Sequence, residues 1–377
     1  MTNLSDIATP ALLLDRKKVE RNIARMAQRA SELHVPLRPH GKTPKCDPVA
    51  AMLIEAGAIG LTVSTLAEAE GYFAGGVGDI FYAVGLSPDK VTRVAALAAR
   101  GCRITALVDH PDMARQIAAQ ADSLGAIIPL VIEIDVDNYR AGILPQDPRF
   151  LQLASAVHAA PSLELRGIMS YGGASYGCSA EAAAELAEMH RLALLSAAEM
   201  LRNAGLPCEM VSFGSSPATL HALSMEGLTE LRCGIYVFQD LFQAAIGACA
   251  IDDIALSVLT TVIGVREDLN RVIIDAGGLA MSKDLSTAKT DQNAGFGLVC
   301  DESGAVIPDV YISVTSQELG LLSTFCGRPL PYDRMPLGAK LRILPNHADM
   351  TAAAYPGYHV LSDGLRVEDF WTRHNGW

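Results

Sequence analysis

Residues 15–40, DRKKVERNIARMAQRASELHVPLRPH, decide the fold. Asp15 stands as an N-cap, and Val19, Ile23, Met26, Ala30 and Leu33 then recur at intervals that place them on one face of a helix over residues 16–34. The chain next becomes short and apolar, and residues 37–40 read as a strand. A helix with one apolar stripe that feeds a buried strand is the repeating element of a parallel α/β fold, and the alternation continues downstream. Candidate strands follow at residues 60–63, 79–84, 104–108, 129–135, 165–170, 210–213 and 229–232. With 37–40 they make eight strand and helix pairs in roughly 240 residues, which fits a (β/α)8 TIM barrel. The helical run 180–204 reads as an ordinary barrel helix, and a doubly wound open sheet is the alternative architecture.

After residue 253 the rhythm changes. Residues 254–265, 271–276, 311–315 and 340–344 read as strands joined by turns with no long helix between them. The expected organisation is therefore a barrel over residues 15–252 followed by an all-β domain over 253–377, to which residues 1–14 add a strand at 9–14. A chain of 377 residues, half of them hydrophobic, can bury two such cores. Its net charge of -12 repels phosphate backbones, so nucleic acid is not an expected partner. The eight cysteines are scattered without a CxxC pair, which reads as reduced, mostly buried thiols in a cytosolic protein. No run approaches the ~18 apolar residues of a membrane span, and the first ten residues do not resemble a signal peptide.

Chemistry in a barrel sits at the C-terminal ends of its strands. After the first strand comes Arg38-Pro39-His40-Gly41-Lys42-Thr43-Pro44-Lys45. A buried lysine there can be neutral and nucleophilic towards an aldehyde, whereas alone Lys42 and Lys45 would pass for surface charges. After the fifth strand the run from Glu133 to Gly142 brings Arg140 to the same rim, where its fork can bind a phenolate or carboxylate oxygen. Tyr171 follows the sixth strand. Gly214-Ser215-Ser216 follows the seventh and Gly234-Ile235-Tyr236 the eighth, two small-residue turns with backbone N–H groups suited to a phosphate.

Thr9-Pro10-Ala11-Leu12-Leu13-Leu14-Asp15, Arg38-Pro39-His40-Gly41-Lys42-Thr43, the Glu133 to Gly142 run, the two glycine turns and Pro345-Asn346-His347-Ala348-Asp349 resemble fold-type III, alanine-racemase-like pyridoxal-phosphate enzymes. The branch they resemble is the D-threonine aldolase and D-serine dehydratase family, and the likeness spans nearly the whole chain. The resemblance implies Lys42 as the Schiff-base lysine, Arg140 near the cofactor's phenolic oxygen, Tyr171 at the cofactor, and the turns at Gly214, Ser215, Ser216, Gly234, Ile235 and Tyr236 on its phosphate. Arg232 matches the arginine that faces the pyridine nitrogen in alanine racemases, an arrangement that weakens the ring as an electron sink.

His347 and Asp349 match the family's metal pair. In an extended segment residues two apart would face one side and share an ion, and Asp in place of Cys at the second position makes the site harder, favouring manganese or magnesium over zinc. Relatives with Cys at that position tend to be dehydratases, so Asp349 points to an aldolase. The chain departs from the relatives' usual Glu-His-Gly with Gln317-Glu318-Leu319-Gly320, and it lacks a histidine common in dehydratases after Tyr171.

The expected reaction is retro-aldol cleavage of a D-β-hydroxy amino acid such as D-threonine to glycine and an aldehyde. Its base would be His40 or a metal-bound hydroxide. The alternative is a D-serine or 3-hydroxyaspartate dehydratase yielding a keto acid and ammonia, followed by an amino-acid racemase or a non-catalytic cofactor carrier. Family analogy implies a homodimer.

Overall fold

The computed structural model describes residues 2–138, 140–362 and 364–377; Tyr139, inside the Glu133 to Gly142 run, lies outside the described residues. The chain forms two compact units. One comprises Ala24–Gly234 with His374–Trp377, and the other comprises the chain up to Ile23 with Ile235–Arg373.

In the first unit seven parallel strands lie side by side in chain order: Leu61–Val63, Asp79–Gly85, Arg103–Val108, Ile128–Glu133, Leu163–Tyr171, Met210–Gly214 and Glu230–Leu231. Residues 37–40 close the ring, because Leu37 bridges Leu231 on the last strand and His40 bridges Thr62 on the first, both in parallel. The Arg38 N–H donates to the Leu231 carbonyl at 2.9 Å, and the Thr62 N–H donates to that of Pro39 at 2.8 Å. The segment expected as a strand thus pairs through isolated bridges rather than a continuous ladder. Pro36 and Pro39 have no N–H to donate, which accounts for the interruption. A ring of parallel strands whose spatial order equals chain order is the TIM-type barrel, and it sets aside the open doubly wound sheet. Phe81, Leu107, Val131 and Met169, from four successive strands, form one buried cluster.

The long helix Arg16–Glu32 begins where the sequence indicated, with the Lys18 N–H donating to Asp15 Oδ1 at 3.1 Å. Val19, Ile23, Met26 and Ala30 are buried on its apolar face.

The second unit is antiparallel. Leu256–Arg266, Arg271–Ile274, Gly320–Thr324, Val306–Thr315, Leu298–Cys300 and Lys340–Leu344 pair in that order, and the last returns to the first to close a six-stranded barrel. Closure leaves this ring no unpaired edge. Ala11–Asp15 pairs antiparallel with Leu256–Arg266 and parallel with Gly357–Leu361, so the strand expected near the N-terminus belongs to the β-unit. All eight cysteines are free, five of them buried. No described helix is long and apolar enough to cross a membrane.

The barrel's inner cluster leaves little room for collapse. Replacing Leu107 with Ala is expected to cost about 2–5 kcal/mol, read as a lowered denaturant midpoint of the barrel transition.

Candidate active site

Lys42 lies in a tight turn held from several sides. The Lys45 N–H donates to the Gly41 carbonyl at 2.9 Å. The buried Tyr72 hydroxyl donates to the same oxygen at 2.6 Å. Lys45 adopts a left-handed backbone with φ of 46°, a conformation that costs a non-glycine residue energy and persists where surrounding contacts enforce it. One of those contacts is an ion pair of 3.1 Å between Lys45 Nζ and Glu68, whose carboxylate is fully buried. Glu68 also accepts the Ser64 N–H at 3.0 Å and the Thr65 hydroxyl at 3.1 Å. Lys45 is therefore a structural cation, and Lys42 is the lysine of this turn that remains for chemistry.

His40 stands beside it, with Nδ1 3.4 Å from the Lys42 N–H and Nε2 3.3 Å from the Ser64 hydroxyl. Burial, followed by the positive charges of Lys42, Arg232 and Arg140, pushes its pKa well below the usual histidine value. At neutral pH His40 is an uncharged imidazole able to accept a proton.

Arg140 lies over the face of Tyr171 at 4.4 Å and 3.9 Å from Glu133, so both expected residues meet at one side of the barrel mouth. The buried Glu133 carboxyl has a pKa raised by burial, against the lowering pull of Arg140 and Arg232. The two small-residue turns also converge. Ser216 N–H lies 3.4 Å from the Tyr176 hydroxyl, and Gly234 N–H lies 3.4 Å from Ser216 Oγ. Both are long contacts, leaving these donors weakly engaged and suited to an anion. The Ser215 hydroxyl is committed locally, accepting the Ala218 N–H at 3.2 Å and lying 2.6 Å from Ser175 Oγ. A Cβ on Gly234 would sit 2.8 Å from His40 Cβ, so glycine is what lets the last strand's exit lie against the first. Ile235 and Tyr236 continue from it in the short 3-10 turn Ile235–Val237 and are buried.

Arg232 is fully enclosed. It donates to Ser212 Oγ and, at 2.7 Å, to the Ser170 carbonyl, with its guanidinium over Phe81 at 5.3 Å. Burial lowers its pKa to about 10 while Glu230 and Glu133 pull upward, so it stays charged at neutral pH. Ser212 donates to Glu230 at 2.6 Å, and Glu230 accepts from Arg38 at 2.7 Å.

In the β-unit, His347 is the N-cap and Asp349 the second residue of the short helix Ala348–Ala352. This corrects the wholly extended His-x-Asp segment expected from spacing: His347 itself is extended, but the backbone turns into a helix immediately after it, so the alternation of a strand does not relate the two side chains. What gathers charge instead is the surrounding fold. His347 Nδ1 lies 3.5 Å from Asp284 Oδ2. Burial works to lower the His347 pKa, but Asp284, Asp349 and Asp240 override it and raise it to about 9. Asp349 Oδ1 is buried without a hydrogen-bond partner. Asp240 accepts the Gln243 N–H at 2.8 Å and the Ala348 N–H at 3.1 Å, fastening two short helices together. The cluster favours positive charge, as a divalent-cation site must. Among the described residues no three His, Cys, Asp or Glu side chains converge in ligand geometry, so His347 and Asp349 would need further oxygen donors from water or substrate.

The comparisons with known proteins agree with this chemistry. The alanine racemase N-terminal domain matches residues 14–241 and a serine dehydratase domain matches residues 255–361. D-threo-3-hydroxyaspartate dehydratase of Delftia sp. (strain HT23) is 44% identical, covering 99% of each chain. The chain belongs to the D-threonine aldolase and D-serine dehydratase family of fold-type III pyridoxal-phosphate enzymes. The solved Delftia structure superposes with a TM-score of 0.96 at 43% identity over 100% of both chains, and a mutant of it is described as metal-free. D-threonine aldolase of Arthrobacter sp is 30% identical over 98% of this chain and 92% of its own. As a family member the protein is a pyridoxal-phosphate-dependent lyase acting on D-amino acids.

Several residues around the lyase's site escaped sequence reading. Glu133 and Glu230 signal themselves only as lone carboxylates in or at the end of apolar strands. Asp240 and Asp284 lie 107 and 63 positions before His347, with no local pattern to connect them.

Two outcomes follow for the lyase. Glu230→Gln removes one of the two carboxylates that meet Arg38, with Asp79 remaining, and is expected to cost about 1–3 kcal/mol, measured by chemical denaturation. His40 is held neutral in the fold but protonates near 6.5 when unfolded, so acidification below that value favours the unfolded chain until the folded pKa is reached. The drop in denaturation midpoint between pH 7.5 and 5.5 should be smaller in His40→Asn, and an equal drop would count against this titration.

Proposed function

We propose that the protein dehydrates D-3-hydroxyaspartate or a closely similar D-β-hydroxy amino acid to an oxo acid and ammonia. The reading is carried by 44% identity over 99% of both chains with D-threo-3-hydroxyaspartate dehydratase, against 30% with D-threonine aldolase. Lys42 would hold the cofactor, with the Gly214 to Ser216 and Gly234 to Tyr236 turns on its phosphate, Arg140 and Tyr171 at its ring face, and Arg232 towards its pyridine nitrogen. Pyridoxal phosphate, when bound, supplies an electron sink for charge developing at the substrate's Cα. Lys42 Nζ would take the substrate's Cα proton. His40, neutral and beside Lys42, keeps the charge near that nitrogen low. The fixed carbonyl of Gly41 and the Lys45–Glu68 pair keep the lysine's backbone from moving while the proton transfers. His347 and Asp349 would hold a divalent ion, manganese or magnesium by the hardness of the carboxylate donor, whose Lewis acidity would assist departure of the β-hydroxyl.

A specific observation favours a second reading. Asp349 stands where family members with cysteine tend to be dehydratases, and it favours the retro-aldol reaction in which a base takes the β-hydroxyl proton and the Cα–Cβ bond breaks.

The deciding assay supplies pyridoxal phosphate and manganese with D-threo-3-hydroxyaspartate or D-threonine, and quantifies all products. Oxaloacetate and ammonia from the first substrate are expected, lost with chelator and reduced at least ~100-fold in His347→Ala or Asp349→Ala. Glycine with glyoxylate, or glycine with acetaldehyde from D-threonine, would establish the aldolase instead.

A further inference from the structure

The helix Leu66–Ala74 carries Gly71 in its interior and is followed by Gly75 at φ of -75°. Neither position has a backbone that requires glycine, and an interior helical glycine is unfavourable. Sterics explain both. A Cβ on Gly71 would sit 2.5 Å from His374 Nδ1, and a Cβ on Gly75 would sit 2.5 Å from Asp47 Oδ1. The two glycines, four apart on one face, leave a groove filled by the His374 and Asp47 side chains, which meet at 2.7 Å between Nε2 and Oδ1.

His374 makes two further contacts that lead to Lys42. Its backbone N–H donates to the Lys45 carbonyl at 2.6 Å, at the residue held in the left-handed conformation. Its ring meets Tyr72 edge to face, with centroids 5.1 Å apart and planes at 79°. Tyr72 in turn donates to the Gly41 carbonyl at 2.6 Å. One residue near the C-terminal end thus braces both sides of the turn, Gly41 through Tyr72 and Lys45 directly, and Lys42 lies between them.

We propose that His374 is a positioning residue for Lys42, holding the lysine's turn in the geometry in which its amine condenses with the cofactor's aldehyde and releases water. The strained Lys45 backbone is the reason a brace is needed: unless the His374 ring, seated on Asp47 and Tyr72, keeps its N–H donating to the Lys45 carbonyl, the turn can relax, and Lys42 moves with it. The inference rests on the proposed role of Lys42.

The test compares two ligands of the full-length apoenzyme. Pyridoxal phosphate can link covalently to Lys42, while pyridoxamine phosphate occupies the same phosphate and ring contacts but carries an amine that cannot. His374→Ala keeps the backbone N–H but removes the ring that seats this segment against Asp47 and Tyr72; in it the dissociation constant for pyridoxal phosphate should rise about tenfold while that for pyridoxamine phosphate stays within about twofold. An equal loss for both ligands would mean a merely structural role, and no change in either would mean no role; both outcomes overturn the proposal. If His374→Ala does not fold, Tyr72→Phe, which deletes only the hydroxyl on Gly41, must show the same selective loss, and its absence overturns the proposal. Borohydride reduction of the wild-type complex followed by peptide mapping checks the underlying assignment independently. A label on another lysine would remove the proposal together with the role of Lys42, whereas a label on Lys42 with no selectivity in the variants would remove only the brace.

Discussion

The burial of Arg38 constrains everything around the barrel mouth. A guanidinium cannot be enclosed beside apolar strands without carboxylates to meet it. Arg38 has two, Glu230 at 2.7 Å on the last strand and Asp79 at 2.5 Å at the start of another. Because Arg38 belongs to the interrupted segment that closes the ring, its ion pairs do work that a continuous ladder would otherwise do. Two prolines remove backbone donors there, and paired charge holds the segment in register. The Lys42 turn begins three residues beyond Arg38 and inherits its position from that closure.

Charge is managed differently in the two units. At the barrel mouth burial keeps His40 neutral, helped by the positive charge that Lys42, Arg232 and Arg140 gather there, an environment suited to an anionic cofactor. Around His347 the β-unit gathers carboxylates that hold positive charge, an environment suited to a cation. These opposed fields are built from different strands, and each would weaken the other if built from the same ones. The Glu230, Ser212 and Arg232 relay links charges within the barrel: the carboxylate that meets Arg38 also reaches, through one hydroxyl, the buried Arg232.

The turn that carries Lys42 is rigid for local reasons that no single residue supplies. Glu68 pins Lys45, Tyr72 pins Gly41, and His374 touches both arms. With the backbone so held, the freedom left to Lys42 is confined to the four methylenes of its side chain.

The amino-acid sequence by itself determined the strand and helix alternation, the switch to an all-β pattern after residue 253, the helix start at Asp15, and the family motifs around Lys42 and His347. These are local features, set by residue periodicity, capping and short spacing, and they need no knowledge of distant neighbours. The tertiary structure alone decided that Lys45 is an ion-pair partner of Glu68, that Asp240 and Asp284 surround His347, that the chain turns into a helix between His347 and Asp349 rather than continuing as an extended strand, and that His374 reaches the Lys42 turn. Each of these depends on a contact between residues far apart in the chain, or on a local backbone chosen by such contacts. A single sequence carries no local signal for them, because the free energy that selects them arises only when the packed neighbours exclude water and force every buried charge and strained turn to find its partner.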